Sequence, residues 1–131
     1  MCLVTRQRKP KILKKDLKVY KVLKSGNDSP YNNYHWRKGQ LETTKFSLKT
    51  GNGKNFCFAD FQSLKKYNDL SQCTEIGKGF HACMTKERAE SVTPKIFTNE
   101  NYEICEFLIP KGSEVYYDCT GLIVANQMMM L

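Results

Sequence analysis

Residues 17–24 read Leu-Lys-Val-Tyr-Lys-Val-Leu-Lys, a short segment in which β-branched and aromatic residues alternate with lysines. A hydrophobic period of two with these residue types predicts a β-strand. Leu17, Val19 and Leu23 share one face of that strand. Lys21 falls on the same, more apolar face, which is unusual for a charged side chain. The segment therefore predicts a sheet strand with one exceptional position.

Four further stretches show strand character, and turn residues at 110–112 and 118–121 separate the last three of them. A helix is predicted over residues 60–69, with Asp60 as its N-cap, and a second helix follows Thr85 and runs to Ser91. The fold class is therefore α+β: a mainly antiparallel β-sheet with two short helices and a basic N-terminal arm. The predicted strands, besides 17–24, are residues 45–48, 102–109, 114–117 and 122–131.

The net charge of the chain is concentrated at its N-terminus. Residues 1–24 hold nine Lys or Arg and one Asp, a net charge of +8 that equals that of the whole chain. Pro10 interrupts this stretch and favours extended backbone before it. We therefore predict a flexible basic arm over residues 1–16 and a single α+β domain over residues 17–131, a usual size for one domain.

Several classes of protein do not fit the sequence. No apolar run approaches the roughly 20 residues that span a bilayer, and only Cys2, Leu3 and Val4 precede the first charge, which is too short for a secretory signal. We expect a cytoplasmic protein without membrane association, whose six cysteines are reduced. The grouping that most resembles a metal site, Cys73 with His81 and Cys83, lacks a fourth ligand, so no metal is expected.

The basic arm predicts a polyanionic partner, because Lys and Arg neutralise phosphates. Aromatic residues lie near the bases, and this combination suits single-stranded nucleic acid, whose bases stack on rings. A solvated basic tail beside aromatic core residues is the alternative, and a virion-associated structural protein is another. The predicted nucleic-acid contacts are Arg6, Arg8, Lys9, Lys11, Lys14, Lys15, Lys18, Tyr20, Lys21, Tyr34, Trp36, Arg37 and Lys38.

No catalytic residue is predicted from the residues alone. His81 and Cys83 would share one face of a strand at about 6–7 Å, too far apart for a direct bond that activates the thiol. We therefore favour a non-enzymatic protein and expect no cofactor. Nothing in the sequence defines the oligomeric state.

Five short segments of the chain carry one resemblance: residues 1–3, 9–12, 19–23, 79–82 and 109–112. Together they resemble a group of small uncharacterised proteins from bacteria and their phages. The resemblance implies a bacterial host cytoplasm. Small basic phage proteins of this size often interfere with host defence, including as anti-CRISPR inhibitors. The leading expectation is thus a protein that binds RNA or an RNA-loaded effector, in its most concrete form an inhibitor of an RNA-guided defence nuclease.

A second resemblance involves residues 77–89, which read Gly-Lys-Gly-Phe-His-Ala-Cys-Met-Thr-Lys-Glu-Arg-Ala. This segment is similar to one in small ADP-ribosyltransferase-like domains, where a glycine-rich approach leads into an aromatic strand and a helix opens near a Thr. The family's functional positions would fall on Lys21, His81 and Gln127. The first two depart from the residue types of the family. The resemblance implies, as the alternative function, NAD-dependent transfer or an inactive descendant of such an enzyme.

Overall fold

The computed structural model describes residues 3–29, 34–50, 74–92 and 102–131. This part of the chain is dominated by β-structure and contains one helix, which confirms a β-rich α+β class. The helix predicted over residues 60–69 lies outside the described residues. The elements are β1 (Leu3–Thr5), β2 (Lys11–Ile12), β3 (Leu17–Lys24), β4 (Leu41–Thr43), β5 (Leu48–Thr50), β6 (Thr74–Ile76), β7 (Phe80–Cys83), α1 (Lys86–Val92), β8 (Tyr102–Ile109), β9 (Glu114–Tyr117), β10 (Leu122–Ala125) and β11 (Gln127–Met130).

The strands form two antiparallel sheets. A three-stranded sheet has the order β1-β6-β5, and an eight-stranded sheet has the order β2-β9-β10-β7-β3-β8-β11-β4. The longest pairing joins β3 to β8 from Leu17 opposite Ile109 to Lys24 opposite Tyr102. The predicted bounds of β3, β8 and β9 are confirmed. The strand predicted over residues 45–48 is wrong, because β5 begins at Leu48 and pairs with β6.

The last segment of the chain supplies two strands rather than the single one predicted. β10 pairs with β9 and β7, whereas β11 pairs with β8 and β4. The segment bends at Asn126, whose side-chain Oδ1 accepts a hydrogen bond from the backbone N–H of Glu114 at 2.9 Å. β10 and β11 are consecutive in the chain, yet they are third and seventh in the strand order. The large sheet therefore curls back around its core, so that these two strands come together at Asn126.

The curled sheet separates two apolar clusters. One contains Val19, Leu23 and Phe107 and includes the largest buried ring, Trp36. The other lies on the opposite face and includes Tyr116, together with residues of the small sheet and of α1. The alternation of strand β3 therefore sorts its side chains as the sequence predicts, with Lys21 on the face of Val19 and Leu23.

The helix α1 is the second of the two predicted helices. Thr85 caps it, because its Oγ1 accepts a hydrogen bond from the backbone N–H of Arg88 at 3.1 Å. Ala89 is fully buried and packs the helix against the second cluster. At seven residues, α1 is far too short to cross a membrane, and the described ranges contain no other helix.

The flexible arm predicted over residues 1–16 is not confirmed, because residues 3–16 are attached to the sheets. Leu3 and Val4 are buried, and β1 pairs with β6. β2 adds to the edge of the large sheet beside β9. Between these strands the amide of Gln7 donates to the carbonyl of Val115 at 2.9 Å and accepts from the N–H of Tyr117 at 3.2 Å. The burial of Leu3 and Val4, together with the side-chain hydrogen bonds of Gln7, thus holds the segment in place.

Candidate functional site: a cavity at the β3–β7 boundary and a basic strip

The large sheet opens where β3 meets β7. Backbone pairing between these strands is limited to Tyr20 and Cys83. The same register would bring Val22 opposite His81, but no pairing continues there. Instead, the Nζ of Lys21 donates a hydrogen bond to the backbone carbonyl of His81. A lysine side chain thus satisfies a strand carbonyl at the point where the two strands stop pairing.

A cavity of about 260 Å³ lies at this opening. Since a water molecule in the liquid takes about 30 Å³, the cavity has the volume of roughly nine waters. Its walls come from β3, β7 and the segment around residue 36. The six side chains that define its chemistry are Tyr20, Lys21, Tyr34, Trp36, Phe80 and His81.

Aromatic rings form one wall of the cavity. The ring centre of Trp36 lies 5.1 Å from that of Tyr34, 5.1 Å from that of Phe80 and 4.9 Å from that of Phe107. These tilted and edge-on contacts are the arrangements that aromatic pairs prefer. Only 2% of Trp36 is exposed, and its indole N–H has no acceptor within the described ranges. The ring is therefore a core element with one unpaired donor.

Lys21 is the principal charge of the cavity. Its Nζ lies 5.6 Å from the ring centre of Trp36 and 6.0 Å from that of Phe107. Burial disfavours the charged form and lowers the pKa of Lys21 to about 8, although the nearby Cys83 opposes the shift. No carboxylate of the described residues forms an ion pair with this lysine. At pH 7 the ammonium is thus mostly protonated, and it lies beside the carbonyl of His81 and over the rings of Trp36 and Phe107.

The ring of His81 is held by two backbone carbonyls from the end of β6 and the turn that leads into β7. Its Nδ1 lies 3.1 Å from the carbonyl oxygen of Gly79, and its Nε2 lies 3.2 Å from that of Ile76. Burial and then the charge of Lys21 lower the pKa of His81 to about 4, so the ring is neutral at pH 7. A neutral imidazole has one N–H, so only one of the two carbonyls receives a hydrogen bond. The ring therefore anchors the approach to β7 rather than presenting an acid to the cavity.

Gly79 allows the strand before the cavity to pass close to its neighbours. Its φ is +149°, in a region that favours glycine. A Cβ at this position would lie 2.5 Å from Cγ2 of Val124 and 3.1 Å from the ring of Phe46. The absence of a side chain is thus a condition for placing Phe80 and His81 at the cavity.

The structure divides the predicted nucleic-acid contacts into two groups. Tyr20, Lys21, Tyr34 and Trp36 line the cavity. Only 2% of Trp36 is exposed, so its ring offers almost no surface to a base. Tyr20, Lys21 and Tyr34 are partly exposed, and their contacts with nucleic acid stay a prediction. The exposed group consists of Arg6, Arg8, Lys9, Lys11, Lys14, Lys15, Lys18, Arg37 and Lys38.

The exposed bases belong to different parts of the fold. Lys18 forms an ion pair with Glu106, with 3.1 Å between Nζ and Oε2. Lys38 forms an isolated backbone β-bridge with Met130 of β11, which is near the opposite end of the strand order from β2. Arg37 directly precedes Lys38 in the sequence. The remaining bases follow β1 and β2. We call this set the basic strip: Arg6, Arg8, Lys9, Lys11, Lys14 and Lys15.

The three positions implied by the ADP-ribosyltransferase resemblance are only partly brought together. Lys21 and His81 meet at the cavity, whereas Gln127 lies in β11 opposite Thr43 and is not among the lining residues. The sequence analysis missed Phe80 as a wall of the cavity. Its only sequence signal is its position directly after the tight Gly77-Lys78-Gly79 approach.

The described residues contain no group of three or more His, Cys, Asp or Glu side chains that could hold a metal ion. No disulfide bond forms among the cysteines of the described ranges, which are Cys83, Cys105 and Cys119. No known family model, curated protein or solved structure matches the chain. The site is therefore interpreted from its own geometry.

Proposed function

We propose that this chain is a non-enzymatic protein that binds single-stranded RNA, or an effector loaded with RNA, through the basic strip. The observation that carries the proposal is that all six bases of the strip are exposed while their backbone is attached to the sheet. A row of fixed positive charges neutralises phosphates with less loss of conformational entropy than a free tail.

Backbone and side-chain contacts support a preorganised strip. The N–H of Leu13 donates to the carbonyl of Ser113 at 3.0 Å, and the carbonyl of Leu13 accepts from the N–H of Gly112 at 2.9 Å. Just beyond the strip, Oδ1 of Asp16 accepts from the backbone N–H of Lys111 at 2.8 Å. These bonds hold Lys14 and Lys15 beside a further exposed base, Lys111.

The strip favours contact with the phosphate backbone over recognition of bases. Phosphate contacts position a protein on nucleic acid but carry no sequence information. Specificity would then come from the effector that carries the RNA. An inhibitor of an RNA-guided defence nuclease in a bacterial cytoplasm is the most concrete form of this function, in which the strip would compete for RNA-binding surface or for the RNA itself.

Salt dependence measures this proposal directly. If the strip contacts about five phosphates of single-stranded RNA, the logarithm of the binding constant falls with the logarithm of salt concentration with a slope of about −3.5. Replacing Lys9, Lys11, Lys14 and Lys15 by Gln should bring the slope to about −1. Fluorescence anisotropy of a labelled oligonucleotide provides the measurement.

Lys38→Gln is the control, because this exposed base is bridged to β11 and does not belong to the segment of the basic strip. It should leave both affinity and slope almost unchanged. A salt-independent affinity, or an equal loss in the control, contradicts the proposal. Tighter binding to duplex DNA than to RNA would instead favour a virion protein that contacts packaged nucleic acid.

One observation favours an ADP-ribosyltransferase-like enzyme, or its inactive descendant, as a second candidate. Lys21 and His81, which correspond to two positions of that family, lie on one cavity. Incubation with NAD separates the candidates. We expect no release of nicotinamide and no thermal shift, and either signal would replace the RNA-binding proposal with this one.

A further inference from the structure

We infer that the cavity at the β3–β7 boundary binds a small aromatic carboxylate. The carboxylate would contact the ammonium of Lys21, and the ring would lie against the aromatic wall of Tyr34, Trp36 and Phe80. This site is separate from the basic strip and does not depend on RNA binding. Charge, hydrogen-bonding capacity and shape each lead to this ligand class.

The charge argument starts from Lys21, which no carboxylate of the described residues neutralises. Among the described residues its Nζ has one acceptor, the carbonyl of His81, although an ammonium carries three donors. Lys21 is half-buried, and charges withdrawn from water in proteins are usually paired, because an uncompensated ion in a low-dielectric environment is unfavourable. A bound anion supplies the missing partner, and the surrounding apolar groups strengthen that attraction.

A second donor lies in the same part of the molecule. The indole N–H of Trp36 is buried and has no acceptor in the described part of the chain, whereas most buried polar groups in proteins have one. The Trp36 ring is also the ring above which the Lys21 ammonium lies, at 5.6 Å from its centre. The Nε1 atom itself has almost no accessible surface, so the carboxylate would bond to the remaining donors of Lys21, and the indole would contribute its ring to the aromatic wall.

The walls and the volume define the rest of the ligand. Tyr34, Trp36 and Phe80 contact one another, so a planar ring that enters the cavity extends an existing aromatic cluster. Pockets for drug-sized ligands commonly measure about 300–1,000 Å³. A cavity of about 260 Å³ is slightly smaller and suits a ligand with a single ring. An inorganic anion would leave the aromatic wall without contacts.

Binding of this anion should depend on the protonation of Lys21. As the pH rises above about 8, the free protein must take up a proton to bind the carboxylate, so affinity falls by up to tenfold for each pH unit. Below that value affinity should be constant, because Lys21 is already charged and His81 is neutral down to a pH of about 4. The other titratable groups that face the cavity are Tyr20, Tyr34, Lys78 and Cys83.

Benzoate is the probe, and the fluorescence of Trp36, the only tryptophan in the chain, is the signal. We expect saturable binding of benzoate at pH 7. Benzamide has the same ring without the charge, and acetate has the charge without the ring. Each should bind at least about tenfold more weakly, a difference of about 1.4 kcal/mol. Calorimetry with the same three compounds checks the optical result.

Lys21→Met removes the ammonium and keeps an unbranched chain of similar length. It should abolish the preference for benzoate over benzamide. Lys78→Gln removes an exposed cation from the rim of the same cavity and should keep that preference. The variant lacking Lys9, Lys11, Lys14 and Lys15 should bind benzoate as the wild type does, which separates this site from the RNA-binding proposal.

The pH titration of the wild type tests the inference without any substitution. Benzoate affinity should decrease between pH 8 and 10, while that of benzamide stays level. The inference is overturned if benzoate fails to bind at millimolar concentration, if benzamide binds as tightly as benzoate, or if benzoate affinity does not change over this pH interval.

Discussion

We expect Trp36→Ala to lower the free energy of unfolding by about 3–5 kcal/mol, the usual range for removing a large buried aromatic side chain. Trp36 is 2% exposed and packs within 5.1 Å, centre to centre, of three other rings. Its removal leaves Tyr34 and Phe80 without their common neighbour and extends the cavity into the core. Since small domains have a total stability of about 5–15 kcal/mol, this loss is a large fraction of it.

Urea denaturation followed by far-ultraviolet circular dichroism measures the loss without relying on tryptophan fluorescence. Trp36→Phe is the matched control, because it keeps a ring in the cluster and removes an indole N–H that has no acceptor in the described part of the chain. The Phe variant should therefore lose clearly less stability than the Ala variant. Equal losses, or a loss below about 1 kcal/mol for Ala, would show that the ring cluster does not organise this core.

The second large effect is a pH dependence produced by Lys21. Its pKa is lowered to about 8 from an ordinary value of 10.5, so the unfolded chain binds more protons than the folded protein between these values. The free-energy cost of keeping the charged Lys21 in the folded protein is therefore complete below pH 8. It disappears as the pH rises to 10.5, because the folded protein then holds Lys21 in its neutral form. Relative to Lys21→Met, the wild type should gain about 3 kcal/mol of stability from pH 7 to 11.

The comparison isolates Lys21 because the two proteins share every other titratable group. The thiol of Cys83 is the main coupled group, since its charge affects that of Lys21. Repeating the comparison in a Cys83→Ala background removes this coupling, and a similar gain should remain. Parallel stability curves for wild type and Lys21→Met from pH 7 to 11 would show that the ammonium is well solvated in the folded protein.

The sequence predicts the strands whose formation depends on local pattern. Residues 17–24 and 102–109 alternate strongly, and their bounds agree with β3 and β8. The cap at Thr85 likewise depends on residues only three positions apart. Such features depend on backbone geometry and on near neighbours, so they can be read from a single sequence.

Other features depend on contacts between distant segments. Gln7 bonds to Val115 and Tyr117, more than 100 residues away, so composition alone indicates a free basic arm where the structure has an attached one. The bend at Asn126 depends on pairing with Glu114 and on the strands at either side. An aromatic cluster beside bases has the same sequence whether its rings are exposed or packed, so the burial of Trp36 was not predictable.

Lys21 shows where the two kinds of information meet. The period of residues 17–24 places this lysine on the apolar face of a strand, and the sequence alone determines that position. Only the tertiary structure decides what surrounds it: β7 stops pairing with β3 at Tyr20, and the exposed carbonyl of His81 accepts the ammonium. The physical reason is that the alternation of a strand determines, from local sequence, the face on which a side chain lies. A cavity depends instead on which distant strands pair with each other and where that pairing ends.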